Sequence, residues 1–582
     1  MTGPDLVVFD LEGADAGEMR TGSHEGPFVR LIGADGAGQQ VIADRSAGKR
    51  TAVRDIEQAP VKAGHNILGF DIPALVLHEG GDWDRLTDGA VDTLVAARLA
   101  DPPGAKRAKP WSAKGYYSLD QVAQRYGVAG TRDGSKGTLN DLKEEFGGYD
   151  KIPVDDARYR SYLRDDLAET RAVYEALRPV IETPYARREM CVVALQQRMT
   201  HTGWRVDVPL LHQLAAGEER NRLAALDRLH DENGLPARGR LSPLGTKLGK
   251  EWFGELLEQS GAATWWPMTA TGLPSMKGEH LDEAAVRKDV YAPPEFFAVL
   301  DLIRQVTGAT SKYAEILKHT HSDGRVYPGI GADQASGRWA TTKPATANLG
   351  KRDGKHIQRA PFLPEPGHVM ITFDLDQVDM RAIAALSQDP AYMALFGPGL
   401  DAHSMISDLV FGRHDGPWRH KSKKCGHGWN YGMGIMGLVR SGVEREIAET
   451  FDREMMNRFP VLCSERDKWR ALGAAGQLLD NGFGRWMRPV PERSHTQSPA
   501  LMGQGAARDI MCEGMLRMDP AVQKMLRAVV HDEIVLSVPE RYLEEISGHV
   551  LDALTWNWRG VPITAGASAP GYRWSECYEK AA

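Results

Sequence analysis

Cysteine is scarce in this 582-residue chain, and its five cysteines, at positions 191, 425, 463, 512 and 577, form no CxxC pair. This scatter argues against a disulfide framework or a cysteine zinc site and predicts reduced thiols in a cytoplasmic compartment. Long hydrophobic runs are missing too, because no stretch approaches about 18 uninterrupted apolar residues. The first residues, MTGPDLVVFD, contain no basic region. The sequence therefore predicts neither a membrane span nor a signal peptide.

An excess of positive charge is also absent, because 71 Lys and Arg residues stand against 78 Asp and Glu residues and the formal net charge is −7. A wholly basic surface is excluded, but a basic groove for nucleic acid is not, since such binding depends on where the cations cluster. The 42% apolar and 26% charged residues are typical of globular proteins. The length predicts roughly three to five domains. No repeat, coiled coil or low-complexity tract supports a scaffolding role.

One short pattern occurs twice: residues 9–13 read FDLEG and residues 373–377 read FDLDQ. Side chains alternate between the faces of a strand, so Asp10 and Glu12 would share one face, as would Asp374 and Asp376. Adjacent carboxylates repel each other unless a cation lies between them, and all-oxygen sites favour Mg²⁺ or Mn²⁺. The alternative for each pentapeptide is a strand end with solvated acids.

Hydrophobic periodicity divides the chain into three regions. The first 185 or so residues alternate short apolar runs with helical patterns, which predicts an α/β domain with strands at 6–13 and 26–34. From about 186 to 330 the apolar residues recur at helical spacing. Beyond 330 the pattern is mixed, with predicted strands at 368–376 and 527–539 on either side of a long helical stretch.

The α/β region contains further acids that could complete a site with Asp10 and Glu12. Asp71 follows a short apolar run in GHNILGFDIPAL, and SYLRDDLAETRAVY places Tyr162 four residues before Asp166. Residues at this spacing share a helix face, whereas Asp165 does not have it. The alternative for Tyr162 is a core aromatic.

This set resembles the DEDD family of 3′ to 5′ exonucleases, in the variant with a Tyr shortly before the last Asp. The resemblance implies an RNase H-like mixed sheet. It also implies two divalent ions, Mg²⁺ or Mn²⁺, held by Asp10, Glu12, Asp71 and Asp166, with Tyr162 orienting a water molecule.

The second pentapeptide begins FDLDQVDMRAIAALSQD, which resembles motif A of the family A DNA polymerases. AVVHDEIVLSVP resembles motif C of that family and also reads as a hairpin. The resemblance implies that Asp374 and Asp532 hold two further divalent ions in a polymerase palm. The family usually has a small residue in place of Asp376, so only the first pentapeptide is expected to use both of its acids.

Between these motifs, PWRHKSKKCGHGWNYGMG carries a stripe of cations and rings at four-residue steps. A solvated basic helix face is the alternative to a triphosphate site, which would need charge for phosphates and flat rings for sugar and base. The stripe resembles motif B of the family. The resemblance implies nucleotide binding by Arg419, Lys423, His427 and Tyr431, with Asp379 of motif A closing off the ribose 2′-hydroxyl.

The same resemblance implies three contacts to primer-template DNA: Arg338 in SGRWATTKPATANL, Gln504 in MGQGAARDIM, and His531. His427 stands where the family usually has Phe or Tyr, and Asp379 stands where it has Glu. We hypothesise that the imidazole of His427 donates a hydrogen bond to Asp379 and holds it over the sugar. The alternative is that His427 packs only as a flat ring.

The resemblance spans essentially the whole chain and implies a proofreading DNA polymerase with a right-hand fold. We predict a 3′ to 5′ exonuclease domain (1–185), a helical thumb (186–330), an antiparallel palm (331–400 and 498–582) and helical fingers (401–497). The expected partners are primer-template DNA, dNTPs and replication accessory proteins, with no membrane. The protein is expected to be a monomer. The compact length without a 5′ nuclease predicts a phage replicase acting in the host cytoplasm. The alternatives are a single-subunit RNA polymerase and a catalytically decayed DNA-binding protein.

Overall fold

The computed structural model describes residues 5–579 apart from 37–38, 105–109, 111–112, 114, 129–134, 237–242, 270–271, 277, 279, 282–283, 285–291, 308–311, 332–333, 352–354, 398 and 414. Within these residues, none of the helices is long and apolar enough to cross a membrane.

The N-terminal region is built on a five-stranded mixed sheet of order β3-β2-β1-β4-β5. The central strand β1 pairs antiparallel with β2 and parallel with β4. The strands are β1 (Leu6–Gly13), β2 (Val29–Gly36), β3 (Gln39–Ala43), β4 (Val61–Gly64) and β5 (Ala90–Asp92). The predicted strand at 6–13 is confirmed, and the second strand lies a few residues later than predicted.

Seven helices accompany this sheet among the described residues: α1 (Ser46–Gln58), α2 (Asp71–His78), α3 (Trp83–Thr87), α4 (Thr93–Ala100), α5 (Leu119–Arg125), α6 (Ser135–Phe146) and α7 (Ala157–Ile181). The long helix α7 begins where Asp156 accepts hydrogen bonds from the first free backbone N–H groups. It lies close against β2, since a Cβ atom on Gly33 would come within 2.9 Å of Leu163 and Leu167. Glycine at position 33 therefore lets α7 approach the sheet.

The next region is mainly helical, as predicted, with α8 (Pro184–Thr202), α9 (Val208–Asp231), α10 (Lys247–Gln259), α11 (Pro294–Thr307) and α12 (Lys312–Lys318). A small antiparallel sheet was not predicted. Its strands β6 (Trp204–Val206) and β7 (Arg325–Val326) lie before α9 and after α12, and β10 (Phe362–Leu363) joins them from further along the chain. Strands of two or three residues are too short to show a period of two in the sequence. A separate ribbon pairs β8 (Gly329–Gly331) with β9 (Ala340–Thr342).

The C-terminal half is organised around a four-stranded antiparallel sheet of order β14-β15-β11-β18. Its strands are β11 (His368–Leu375), β14 (Leu526–Val530), β15 (Glu533–Pro539) and β18 (Ala565–Ala567). Three helices pack on it or on each other: α13 (Val378–Ser387), α20 (Ser494–Leu516) and α22 (Leu543–Leu554). The predicted strand at 368–376 and the predicted hairpin at 527–539 are confirmed.

Helices fill most of the chain between β11 and β14, as predicted: α14 (Pro390–Met393), α15 (Ala402–Phe411), α16 (Gly416–Asn430), α17 (Ile435–Arg440), α18 (Arg445–Arg458) and α19 (Pro460–Ala474) precede α20, and α21 (Pro520–Gln523) follows it. Short strands complete the region: β12 (Leu479–Asp480) with β13 (Trp486–Met487), and β16 (Trp556–Trp558) with β17 (Val561–Ile563). One apolar core runs through the sheet and these helices, including Phe373, Trp429 and Ile534.

Candidate active sites

The first carboxylate cluster lies where β1 meets α7. Asp10 and Glu12 extend from one face of β1, and Asp166 reaches them from α7, so that ligand oxygens of all three lie within 4.8 Å of one another. Glu12 and Asp166 are buried, whereas Asp165 is exposed. Of the two aspartates, the one with the four-residue step from Tyr162 is therefore the one that reaches the cluster.

Asp71 joins the cluster from the start of α2. Its Oδ1 accepts a hydrogen bond of 2.9 Å from the backbone N–H of Leu11, which lies between the two acids of β1. Burial, and then the charge of Asp10, raise the pKa of Asp71 well above its usual value. A buried carboxyl group beside other carboxylates favours a cation, and an all-oxygen donor set fits Mg²⁺ or Mn²⁺.

Two tyrosines lie on α7 next to this cluster. Tyr162 is half-buried, one turn before Asp166, as predicted. Tyr159, which the sequence analysis did not single out, is fully buried, and burial followed by the charge of Glu12 raises its pKa. Its position seven residues before Asp166 on the same helix face is the signal that could have identified it.

The second pair of acids is brought together by the hairpin between β14 and β15. Asp374 of β11 lies opposite Glu533 of β15, and the backbone N–H of Leu375 donates to the carbonyl of Asp532 at 2.9 Å. His531 occupies the turn with a positive φ of 61°. Burial, and then the charge of Asp374, raise the pKa of Asp532 to about 6. One acid on β11 and one in the hairpin turn thus share a site whose oxygens also fit Mg²⁺.

Asp376 differs from Asp374 in both exposure and partner. It is exposed, its carboxylate accepts a hydrogen bond of 2.8 Å from the hydroxyl of Thr564, and its N–H donates to the Thr564 carbonyl at 2.9 Å. These two hydrogen bonds tie Asp376 to Thr564, and its lack of a ligand role stays a prediction.

Asp379, on α13, accepts hydrogen bonds from two residues that lie on other segments of the chain. Arg338 donates to one of its oxygens at 2.6 Å, and the hydroxyl of Tyr431 donates to the other. Burial and the charge of Asp379 raise the pKa of Tyr431, which also shares a hydrogen bond with Gln504. Residues expected to contact the nucleotide and residues expected to contact DNA therefore meet at one point. The hydrogen bond from His427 to Asp379 stays a prediction.

The cationic stripe lies on α16, which begins with Pro417 in its first turn and ends one residue before Tyr431. Gly428 has a low helix propensity, but α16 continues through it. A Cβ atom at this position would come within 2.9 Å of both Leu438 and Met433. The glycine therefore allows the close packing of α17 against α16.

Arg419 of this stripe is paired with a carboxylate that the sequence analysis missed. Its guanidinium donates to both oxygens of Asp401, at 2.6 and 3.1 Å. Although burial opposes it, hydrogen bonds from Arg419 and Ser404 hold the pKa of Asp401 well below its usual range. Gln377, which follows β11, also donates to Asp401 at 2.9 Å. Arg419 is thus linked through Asp401 to Gln377, two residues after the strand that carries Asp374.

A cavity of about 850 Å³ opens above this acid pair. Its lining includes Asp374, Asp379, Asp532, Lys423, His427 and His403. His403 is a further residue that the sequence analysis missed, and burial followed by the charges of His427 and Lys423 lowers its pKa to about 4. A lone histidine in a helical segment gives no sequence signal of this kind. The volume lies in the range of small-molecule sites.

Two more cations missed by the sequence analysis line the cavity. The ammonium of Lys351 contacts Asp374 and Glu533, and the buried guanidinium of Arg359 contacts Glu533 at 3.2 Å. Both follow the segment that carries Arg338, where the sequence offers no periodicity to orient them.

An antiparallel sheet with one acid on a strand and another in the adjacent hairpin turn, together with a helix that presents cations and rings, is the arrangement expected of a polymerase palm under its fingers. The chain belongs to DNA polymerase family A, since the family's sequence profile matches residues 253–576.

Individual relatives agree with this assignment. The chain is 26% identical over 585 residues to DNA polymerase I of Rhizobium leguminosarum, covering 93% of this chain and 54% of that protein. It is 24% identical to the DNA polymerase of Mycobacterium phage D29, covering 81% of this chain and 77% of the phage protein. The chain spans about half the length of the curated DNA polymerase I relatives that it matches.

A solved structure shares the fold over almost the entire chain. The POL domain of Pol1 from M. smegmatis, in complex with DNA primer-template and dNTP, superposes with a TM-score of 0.73 at 20% sequence identity. The match covers 95% of this chain and 94% of that one. The common fold therefore includes the N-terminal mixed sheet as well as the palm.

Proposed function

We propose that this protein is a template-directed DNA polymerase that adds dNTPs to the 3′ end of a primer. The observation that carries the proposal is the meeting of Asp374 and Asp532 at the floor of a cavity whose wall carries Lys423 and His427. Membership of DNA polymerase family A supports it and disfavours the RNA polymerase alternative.

In this proposal each group around the cavity has one task. Asp374 and Asp532 would hold two divalent ions, which when bound activate the primer hydroxyl and stabilise the charge that develops in phosphoryl transfer. Lys423 binds the triphosphate, and Arg419 assists it from its pairing with Asp401. His427 and Tyr431 pack against the sugar and base, while Asp379 excludes a ribose 2′-hydroxyl. Arg338, Gln504 and His531 contact the primer-template.

We also propose a proofreading 3′ to 5′ exonuclease in the N-terminal region. Asp10, Glu12, Asp71 and Asp166 would hold its two divalent ions, and Tyr162 orients the attacking water. The clustering of Asp10, Glu12 and Asp166, and the interaction of buried Asp71 with Asp10, support this assignment. A monomeric phage replicase in the host cytoplasm, working with accessory proteins, remains part of the proposal. The boundaries of the exonuclease domain, thumb, palm and fingers stay predictions.

The two sites should be separable, because their acids belong to different sheets. Asp10→Ala or Asp71→Ala should abolish degradation of a single-stranded 3′ end and leave primer extension nearly intact. Asp374→Asn or Asp532→Asn should do the reverse. A primer-extension gel with Mg²⁺, run with and without dNTPs, scores both activities on one substrate.

Glu182→Gln is a matched control, since it removes an exposed carboxylate that pairs with Arg178, one helical turn before it. Both activities should survive it. Loss of both activities from one active-site substitution in a folded protein would contradict the two-site assignment. Extension with rNTPs as efficient as with dNTPs would favour the RNA polymerase alternative, and a parent protein without either activity would favour a decayed DNA-binding protein.

A further inference from the structure

The ammonium group of Lys351 bridges the two central strands of the palm sheet. Its Nζ lies 2.5 Å from Oδ2 of Asp374 on β11 and 2.6 Å from Oε2 of Glu533 on β15. The side chain of Lys351 is 33% exposed and lines the cavity above Asp374. A cation of the protein therefore already neutralises the carboxylate that we assign to a divalent ion.

Glu533 is built to hold this ammonium in place. Its side chain is only 2% exposed, and its other oxygen, Oε1, accepts hydrogen bonds from Arg359 and from the hydroxyl of Tyr578. The side chain of Arg359 is equally buried. Oε2 is thus presented to Lys351 by a fixed carboxylate, while the side chain of Asp374 is 44% exposed toward the cavity.

The two carboxylates consequently differ in how they bind the same ammonium group. Glu533 holds it in place, whereas Asp374 can bind either the ammonium or a cation that enters the cavity. A divalent ion on Asp374 would lie within a few ångströms of the ammonium, where like charges repel strongly in a partly buried site. Binding of the ion must therefore either displace the ammonium from Asp374 or be weakened by that repulsion.

We propose that Lys351 is a tethered counter-cation that competes with divalent ions at Asp374 and so sets the metal affinity of the polymerase site. Lys351 is a positioning residue in this role, since it acts through Asp374. The inference rests on the proposed function, which assigns Asp374 and Asp532 to the metal.

The test measures metal binding directly and does not depend on turnover. Free Mn²⁺ is followed by electron paramagnetic resonance during titration of the full chain carrying Asp10→Ala and Asp71→Ala, which disables the other carboxylate cluster. Lys351→Met should bind Mn²⁺ on the order of tenfold more tightly, because the competing charge is gone. Lys351→Arg, which keeps the charge, should stay much closer to the parent.

Lys468→Met controls for the change in net charge, because Lys468 pairs with Glu465 on the exposed face of α19. Its Mn²⁺ affinity should equal that of the parent. Lys351→Gln provides a second neutral variant if Lys351→Met fails to fold, with folding checked by circular dichroism and by the melting temperature in chelator.

Equal or weaker Mn²⁺ binding in a folded neutral variant overturns the inference. A different result would overturn the proposed function instead: if Asp374→Asn in the same background leaves the Mn²⁺ site intact, the metal does not bind at Asp374. The two failures are therefore distinguishable in one set of titrations.

Discussion

Asp379 shows how a single carboxylate can be fixed by its neighbours. Arg338 donates to one of its oxygens and Tyr431 to the other, and these two hydrogen bonds fix the orientation of the carboxylate. Asp is one methylene shorter than the family's Glu, and a methylene in a tight pocket is worth roughly 1 to 3 kcal/mol of discrimination. In the proposed function, the two hydrogen bonds orient the shorter Asp side chain and so compensate for the discrimination that the missing methylene would cost.

We expect Asp379→Ala to raise ribonucleotide incorporation on the order of tenfold or more, because the group facing the 2′-hydroxyl is removed. Tyr431→Phe should raise it less, since Arg338 still holds one oxygen. Single-nucleotide insertion kinetics with dNTP and rNTP measure both effects. Unchanged selectivity in Asp379→Ala would falsify the sugar gate. His427→Phe tests the remaining hypothesis, and unchanged selectivity there would exclude the pairing of His427 with Asp379 while leaving the gate standing.

His201 is a second residue whose environment determines its chemistry. Its Nδ1 accepts a hydrogen bond of 2.8 Å from Arg20, and its ring stacks on Trp83. Burial, and then the charges of Arg20 and Arg198, lower its pKa to about 4. The folded protein thus holds His201 neutral down to about pH 4, whereas the unfolded chain gains a proton near its ordinary pKa of about 6.5. Stability is therefore lost as pH falls from about 6.5 to 4.

His201→Asn should remove part of this acid sensitivity, because the Asn carbonyl can accept the same hydrogen bond from Arg20 without titrating. We expect the melting temperature of the variant to fall less than that of the parent between about pH 7.5 and pH 5. His212→Asn, on the surface of α9, is the control and should behave like the parent. Equal falls in all three proteins would contradict the assignment.

At the scale of elements, a buried network of charges joins α8 to α20. Arg508 donates to both oxygens of Glu189, at 2.6 and 2.7 Å, and Arg485 contacts Glu189 from the neighbouring loop. Asp509 accepts hydrogen bonds from Arg188 and Tyr185. These contacts fix α8 to the helix that carries Gln504.

Removing one partner should be far more damaging than losing a surface pair. Glu189→Gln leaves two buried guanidinium groups undercompensated, so we expect a loss of about 3–5 kcal/mol in the free energy of unfolding. The exposed pair of Arg178 with Glu182 should contribute far less, because solvent screens both charges. Denaturant unfolding of Glu189→Gln and Glu182→Gln compares them, and similar losses would show that the network is not a stabilising unit.

The elements that the sequence predicted well are those with a strong period or a strong local pattern. β1, β11 and the hairpin of β14 and β15 read directly as apolar strands, and the acids within them follow from the alternation of side chains. The i, i+4 step likewise selected Asp166 over Asp165.

What the sequence did not reveal depends on contacts between distant segments. Lys351 and Arg359 meet Glu533 only because β15 pairs with β11, and Glu189 meets Arg508 only once α8 packs on α20. Charged residues that are separated by hundreds of positions carry no shared pattern in one sequence. The short strands β6, β7 and β10 were missed for the related reason that each is too brief to be periodic.

At the scale of the whole molecule, the two carboxylate sites differ in how far apart their parts lie along the chain. The first site is complete once Asp166 has been made, and its sheet lies entirely within Leu6–Asp92. The second site forms only when β11 pairs with β15 and β18, and both of these strands follow the helices α13 to α21 along the chain.

Because of this difference, the two sites become complete at different times during synthesis. A chain leaves the ribosome N-terminus first, and domains generally fold as they emerge. The proposed nuclease site can thus assemble while the helices after β11 are still being translated, whereas β11 keeps an unpaired edge until β15 and β18 have been made. A nascent chain would then possess the proposed nuclease site before the proposed polymerase site, and a stalled ribosome would display the first without the second.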